Sequence, residues 1–441
     1  MAPQHYSPDQ ALADIPEQWV VETELRGQEQ DLFSLLPNAD LELLVVQLLA
    51  DNPALQRRMF ELAELQALEG QAGAARLPQL TLSPDLERSG GPDAKASNQY
   101  RARLDASWEL DIWGRLKNQR QAAQLDVQAL ELEIEYAKRS LLADFIHRYL
   151  MLLNGYRQLD LEQRRLLAAE TNEKVINRRY RSGLSSLQDL NAAQADKFRQ
   201  LAAISQLSET QEGHLRELQR LFGDVGFSDQ RFFAESSINS WPQIRFPEVA
   251  MPALALSQRP DLLAAFKKIK AADQRSDYSY KQLLPSFTLT ANLLSSSTRA
   301  GDVLSQDPSW TLLGQLTQTV FSGGRIKADI AAAEARAGQA YWSYRELLLA
   351  AFLEVAASLS QESSLADQQQ SLELSLRHAQ KSQFEYEQRY QRGLATILDV
   401  IAAQRTSFDV ESQLLGVERE RASNRISMAL ALGLPMVAEE G

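Results

Sequence analysis

The sequence predicts a duplicated chain of mixed α and β structure, in which each copy holds a strand pair followed by a very long helical hairpin. Three observations carry this expectation. The stretch "RYRSGLSSLQDLNAAQ" at Arg179 returns as "RYQRGLATILDVIAAQ" at Arg389, with half of the aligned positions identical and a spacing of 210 residues. Two short regions of each copy alternate strictly between polar and apolar residues, which is the period of a strand. Two stretches, Arg115 to Arg181 and Arg325 to Arg392, contain no proline and repeat apolar residues at threes and fours, which is the period of a helix.

The copies align along most of their length. "NPALQRRM" at Asn52 resembles "RPDLLAAF" at Arg259, and "LPQLTLSPDL" at Leu77 resembles "LPSFTLTANL" at Leu284, both at a spacing of 207. "WGRLKNQRQAA" at Trp113 resembles "GGRIKADIAAA" at Gly323, and "LQRLFG" ending at Gly223 resembles "MALALG" ending at Gly433, both at 210. The single length change falls between Leu77 and Trp113, where an exposed loop tolerates it best. The copies are therefore placed at 41–223 and 249–433. An extended segment (1–40), a linker (224–248) and a tail (434–441) flank them.

Each copy reads helix, β-hairpin, long helix, tight turn, return helix. The first helix is expected over about 41–75 and again over about 249–283. The hairpins follow at 78–112 and 285–322. Leu80, Leu82 and Leu86 alternate with Thr81, Ser83, Asp85 and Glu87, and Leu104, Ala106, Trp108 and Leu110 alternate with Arg103, Asp105, Ser107 and Glu109. The second copy repeats this with Phe287, Leu289, Ala291 and Leu293, then Leu312, Leu316 and Val320. The Gly-, Ser- and Pro-rich stretches "RSGGPDAKASNQ" and "SSSTRAGDVLSQDPS" read as hairpin tips. The long helices, at 1.5 Å per residue, would each reach about 100 Å, with a narrow apolar stripe of coiled-coil type.

The repeated turn, at 180–187 and 390–397, has a local explanation. Gly183 and Gly393 suit the left-handed position just past a helix end. Arg178, Arg179, Arg181, Arg389 and Arg392 set cations against the negative end of the helix dipole. Ser186 and Thr396 are spaced to cap the next helix, with Asp189 and Asp399 three residues on.

Composition excludes several function classes. A net charge of −12 and a pI near 5.1 disfavour nonspecific nucleic-acid binding, which needs clustered Lys and Arg. The chain has no cysteine, and its four histidines are scattered, so no disulfide, thiolate site, metal centre or cofactor is expected. "FSGGRIK" lacks the spacing of a phosphate loop, and no His, Asp and Ser constellation suggests an enzyme. "MAPQHYSPDQ" has neither the basic start nor the apolar core of a signal peptide. The longest apolar run, "LELLVVQLLA", falls well short of the roughly 20 residues that span a bilayer as a helix.

Strands remain as the way into a membrane. Strands of about ten residues are long enough to cross, but a four-strand sheet cannot close, and open edges do not survive in lipid. A membrane reading therefore needs several chains to pool strands, and three chains would give twelve. The alternative is a soluble coiled-coil scaffold with no transport role, whose sheet packs on its own helices.

Four segments carry a family resemblance: "SWELDIWGRL" (Ser107–Leu116), "VFSGGRI" (Val320–Ile326), "RPDLLAAF" (Arg259–Phe266) and "YQRGLATILDVIAAQ" (Tyr390–Gln404). Over about 41–435 the chain resembles the outer-membrane factors, the TolC-like ducts of OprM/NodT type in tripartite efflux systems of Gram-negative bacteria. The resemblance implies a homotrimer with a twelve-stranded β-barrel in the outer membrane and a long α-helical barrel crossing the periplasm. It implies no enzymatic activity. It implies an adaptor (membrane fusion) protein, an inner-membrane pump of the resistance-nodulation-division type, and passage of drugs, other toxic compounds or metal ions. Many relatives carry a leader and a lipid-bearing cysteine, and neither stands in this sequence.

The same resemblance assigns roles. The helix reversals become a periplasmic gate formed by Asp399, Asp189, Tyr390, Tyr180, Arg389 and Arg179, with Tyr390 matching a tyrosine that holds the tip shut. For Asp189 and Asp399, capping and gating both stand as readings. The family's basic residue two positions after the second glycine is here Ala395. Gly183, Leu184 and Ser185, with Gly393, Leu394 and Ala395, become the adaptor's docking surface. Trp113, Gly114 and Arg115, with Gly323, Gly324 and Arg325, become strand-to-helix turns at the base of the barrel.

Overall fold

The computed structural model describes residues 15–16, 18–19, 31–32, 39–91, 94–226 and 241–436. Much of the expected 1–40 segment, most of the 224–248 linker and the end of the 434–441 tail lie outside the described residues, as do residues 92–93 between the first two strands.

In chain order the elements are α1 (Ala39–Asp51), α2 (Pro53–Ala74), β1 (Gln79–Gly91), β2 (Ala94–Leu110), α3 (Arg115–Arg181), α4 (Leu187–Phe222), α5 (Pro252–Ser257), α6 (Pro260–Lys281), β3 (Ser286–Ser297), β4 (Ser309–Thr317), α7 (Arg325–Gln391) and α8 (Ile397–Ala431). The two long helices have 67 residues each. They form because nothing in them breaks a helix: no proline occurs, and Ala, Leu, Gln, Glu and Arg dominate. The helices and strands fall into two compact units. One holds Arg58–Glu133 with Asp261–Leu347, the other Ile15–Arg57, Ile134–Pro260 and Leu348–Gly441.

The first unit contains the sheet, which is antiparallel throughout in the order β1-β2-β3-β4. The pairing register sorts its residues by face. On one face Leu82 lies opposite Leu104, Leu104 opposite Leu293, and Leu293 opposite Trp310. On the other, Thr81 lies opposite Asp105 and Asp105 opposite Asn292, while Arg101 reaches Glu87 at 2.7 Å and Asp85 at 3.6 Å. The apolar face is open: Leu80, Leu82 and Leu86 are 62–68% exposed, and Trp310, Leu312 and Leu316 are exposed as well. β1 and β4 each pair on one side only.

The second unit is helical. Its core joins Leu142, Phe145, Leu150 and Leu153 of α3 to Leu218 and Phe222 of α4 and Ile426 of α8. Phe145 meets Phe222 edge-on at 5.7 Å. Burying one such side chain contributes on the order of 2 kcal/mol.

Five expectations need correction. The helix expected over 41–75 is broken at Asn52, whose side chain accepts the Leu55 amide at 2.9 Å and donates to the Leu221 carbonyl at 2.8 Å, so it starts α2 afresh. The helix expected over 249–283 is likewise divided into α5 and α6 at Gln258 and Arg259. Most of "RSGGPDAKASNQ" is not loop: Arg88 pairs with Asn98 and Ser89 with Ser97, because the ladder continues to Gly91 opposite Ala94. β4 ends at Thr317, so Val320 lies beyond the sheet, and α7 ends at Gln391, one residue before Arg392.

Candidate functional site

The reversal between α3 and α4 is built from backbone requirements first. Gly183 has φ = 71°, a left-handed value that side chains resist. Its N–H donates to the Tyr180 carbonyl at 2.9 Å, and the Leu184 N–H donates to the Arg179 carbonyl at 2.8 Å. This pair of bonds closes the helix end in a Schellman motif. The second reversal repeats it: Gly393 has φ = 73°, and the bonds run to Tyr390 at 3.0 Å and from Leu394 to Arg389 at 2.8 Å. Space is not what selects glycine here, since nothing lies within 4 Å of an added Cβ at either position.

Each return helix then begins with a capping box. The Ser186 N–H donates to Asp189 at 2.9 Å and the Asp189 N–H to Ser186 Oγ at 3.1 Å; for Thr396 and Asp399 the distances are 2.8 and 3.2 Å. Ser185 Oγ also donates to Asp189 at 2.9 Å, a bond that Ala395 cannot supply to Asp399, where Thr396 Oγ1 donates at 2.7 Å. These bonds favour the ionised carboxylates. Asp189 is held below the usual carboxylate range by the Ser186 amide, then the Ser186 and Ser185 hydroxyls. Asp399 is lowered by the Thr396 hydroxyl and then its amide, and the nearby charge of Arg389 also acts on it.

Behind the turns sits a small apolar cluster of Ile176, Ala193, Ile397 and Val400, with Tyr386 and Tyr390 packed on its edge. Arg389 lies over the Tyr386 ring at 6.0 Å. Arg389 thus acts on Asp399 while the adjacent Tyr390 packs on the cluster, and Tyr180 at the other turn is 38% exposed. Leu184 and Leu394 project from the two apices, both about two-thirds exposed.

Sequence reasoning missed the polar tie just above this cluster. Asn172 of α3 donates to Gln404 of α8 at 3.0 Å, and Gln404 donates to Glu387 of α7 at 3.2 Å. Lys197 pairs with Glu173 at 2.8 Å. These partners lie far apart in sequence, so no local spacing announces them.

At the strand-to-helix turns, the Trp113 indole donates to the Pro285 carbonyl at 2.8 Å, and Arg115 donates to Glu109 at 2.6 Å and to the Tyr278 hydroxyl at 3.0 Å. Gly114, Gly323 and Gly324 all have positive φ. Asp111, which the sequence did not single out, accepts the Leu116 and Lys117 amides at 2.9 and 2.7 Å and so starts α3. Arg325 pairs with Asp329 at 3.0 Å. Among the described residues, no group of three or more His, Asp or Glu is arranged to hold a metal ion, and no helix is long and apolar enough to cross a membrane.

Comparison with known proteins gives the chain's relatives. The family model described as "Outer membrane efflux protein" matches residues 44–224 and 251–434, one match on each copy. The chain is 26% identical over 418 residues to the outer membrane protein OprJ of Pseudomonas aeruginosa, covering 91% of this chain and 86% of that protein. It is 26% identical over 402 residues to the cation efflux system protein CusC of Escherichia coli K12, covering 88% and 85%. The fold matches the open-state MtrE outer membrane channel of Neisseria gonorrhoeae with a TM-score of 0.87 at 22% identity, covering 99% of this chain and 98% of that one.

Proposed function

The chain belongs to the outer membrane efflux proteins, a family of transport ducts and not of enzymes, and from that premise we propose how this outer-membrane exit duct is built and gated. Three copies pool their strands into one twelve-stranded barrel, and their long helices continue it through the periplasm. The observation that carries this reading is the open sheet. Its leucine face is exposed in the single chain, and both of its edges lack a second partner. In water that face is a liability, and in lipid the unpaired edges are untenable until neighbouring copies close them.

The helix reversals form the periplasmic gate. Three copies of Asp399 around one axis create a negative ring that favours cations and repels itself. Tyr390 and Arg389 brace the turn that carries it, and Asp189, Tyr180 and Arg179 do the same at the outer turn. Gly183, Leu184, Ser185, Gly393, Leu394 and Ala395 present the docking surface for an adaptor protein. A pump of the resistance-nodulation-division type delivers the cargo. OprJ is named as an outer membrane protein, and CusC as a protein of a cation efflux system. Cargo here is a drug, another toxic compound or a metal ion, and the pump selects it.

The test is planar-bilayer recording of the detergent-purified protein beside an Asp399→Ala variant. Discrete conductance steps, with weaker cation preference in the variant, are expected. A monomer that stays soluble without detergent and yields no steps contradicts the duct.

A further inference from the structure

In the first unit α2, α3, α6 and α7 stand side by side in that order. Arg120 of α3 pairs with Glu69 of α2 at 3.6 Å, Lys281 of α6 donates to Asn118 of α3 at 2.9 Å, and Tyr280 of α6 donates to Glu334 of α7. All four helices, the outer two included, line one recess of about 850 Å³. A recess shared by both ends of a row lies on the concave side of that row. Gln79, the first residue of β1, also lines it, so the recess sits at the end of the sheet. Alanine makes the space: Ala72, Ala122, Ala123 and Ala333 leave a gap between the helices that longer side chains would close.

The lining has a definite chemistry. Leu65, Leu68 and the ring of Tyr278 supply apolar surface. Two arginines face one carboxylate. Arg275 is paired with Asp126, whereas Arg336 is exposed and has no ion pair among the described residues. The recess is therefore locally basic in a chain whose net charge is −12. Its volume falls within the roughly 300–1,000 Å³ of small-molecule sites. An unpaired guanidinium takes a carboxylate or sulfonate through two parallel hydrogen bonds, and an aromatic ring takes a flat apolar body.

We propose that this recess binds an amphipathic organic anion, with its acid group on Arg336 and its apolar body against Leu65, Leu68 and Tyr278. Its place in transport rests on the duct described above. Curved rows that close into a ring turn their concave sides to the axis, so the recess opens on the path of the cargo. Binding there is weak, since a conducting site must release what it holds.

The probe is 4-benzoylbenzoate, a carboxylate whose benzophenone inserts into nearby C–H bonds under near-ultraviolet light. The full chain in lipid nanodiscs is irradiated with it, digested and mapped by mass spectrometry. Adducts are expected on peptides spanning Leu65–Ala75 and Gln119–Asp126, and excess naphthalene-2-sulfonate should suppress them. Arg336→Glu should lower this labelling about tenfold, the effect of losing one charged contact, while neutral benzophenone labels both proteins alike. Ala123→Leu fills the space without changing a charge and should lower labelling by both probes. Adducts spread evenly along the chain, or labelling that survives Arg336→Glu and Ala123→Leu, overturn the site. Labelling of a monomer but not of a trimer gives the recess to a neighbouring copy and overturns it as well. Bilayer recording of the same samples separates the recess from the duct. Conductance steps without adducts remove the recess and leave the duct. Adducts without steps leave the site and remove its place in transport.

Discussion

Thr396 and Asp399 cap one another: the Thr396 N–H donates to Asp399 Oδ2 at 2.8 Å, and the Asp399 N–H donates back to Thr396 Oγ1 at 3.2 Å. Ser186 and Asp189 do the same at the other reversal. Both carboxylates have lowered folded-state pKa values. Their contribution to the turn is therefore complete above the ordinary carboxylate pKa of about 4 and is lost as pH falls through the lower folded value. Amide hydrogen exchange across 184–190 and 394–400, corrected for intrinsic rates, should be flat from about pH 5 to 8 and rise in acid.

Assembly adds a difference between the two turns. In the proposed trimer, three Asp399 carboxylates facing one axis would raise each other's pKa, while three Asp189 on the outer turns would not. In the trimer, the 394–400 amides should lose protection at a higher pH than the 184–190 amides. Coincident acid midpoints would remove Asp399 from the aperture.

Within the chain itself, Gly183 and Gly393 answer to conformation, since an added Cβ would meet none of the chain's own atoms. An alanine at either site should cost about 1 kcal/mol of local stability, the penalty of a left-handed backbone. Gly183→Arg or Gly393→Arg should abolish efflux with the trimer intact, by crowding the docking surface. Drug-susceptibility assays beside a size measurement check this, and unchanged resistance would count against docking at the tip.

Glu362 tests the helical core. It is fully buried, and its Oε1 accepts from Arg421 Nε at 2.9 Å and from Arg425 Nε and Nη2 at 2.9 and 2.7 Å. Arg425 also donates to the Ile244 carbonyl, tying the segment between the copies to α8. Glu362→Leu alone strands two arginines and should destabilise by about 3 kcal/mol. Adding Arg421→Met and Arg425→Met should recover part of that loss in a thermal unfolding assay.

Arg259, almost wholly buried, donates to Glu354 at 3.0 Å and to the Ala431 carbonyl at the end of α8 at 2.9 Å. Gly433 turns there with φ = 75°, and an added Cβ would approach Arg259 Cγ to 3.0 Å. Arg259→Ala should cost about 2 kcal/mol through the lost bonds and packing, whereas Arg377→Ala, on the exposed face of α7, should change little.

What the sequence disclosed depended on the range of the forces involved. The alternation of Leu80, Leu82 and Leu86 and the turn chemistry of Gly183 and Gly393 are local, so they are legible residue by residue. The break at Asn52 is signalled locally by Pro53, but apolar periodicity continues on both sides of it, and the Asn52 bond to the Leu221 carbonyl that fixes it joins positions far apart in the chain. Arg88–Gly91 looked like loop by composition, yet it is strand, because pairing with 94–98 overrides propensity. The Glu362 cluster and the Asn172–Gln404–Glu387 tie join helices that meet only after folding. The same holds for the ion pairs of α3 with α8, Arg157 to Glu418 and Arg164 to Glu411.

The claim on which the duct depends is that β1 and β4 complete their pairing with neighbouring copies. Amide hydrogen exchange of the protein in lipid nanodiscs, resolved to single residues over Leu80–Leu86 and Thr311–Leu316, measures it directly. The account predicts that every amide in both strands is protected as well as those of β2 and β3. Protection of only alternate amides, with the others exchanging as at a free edge, would contradict it.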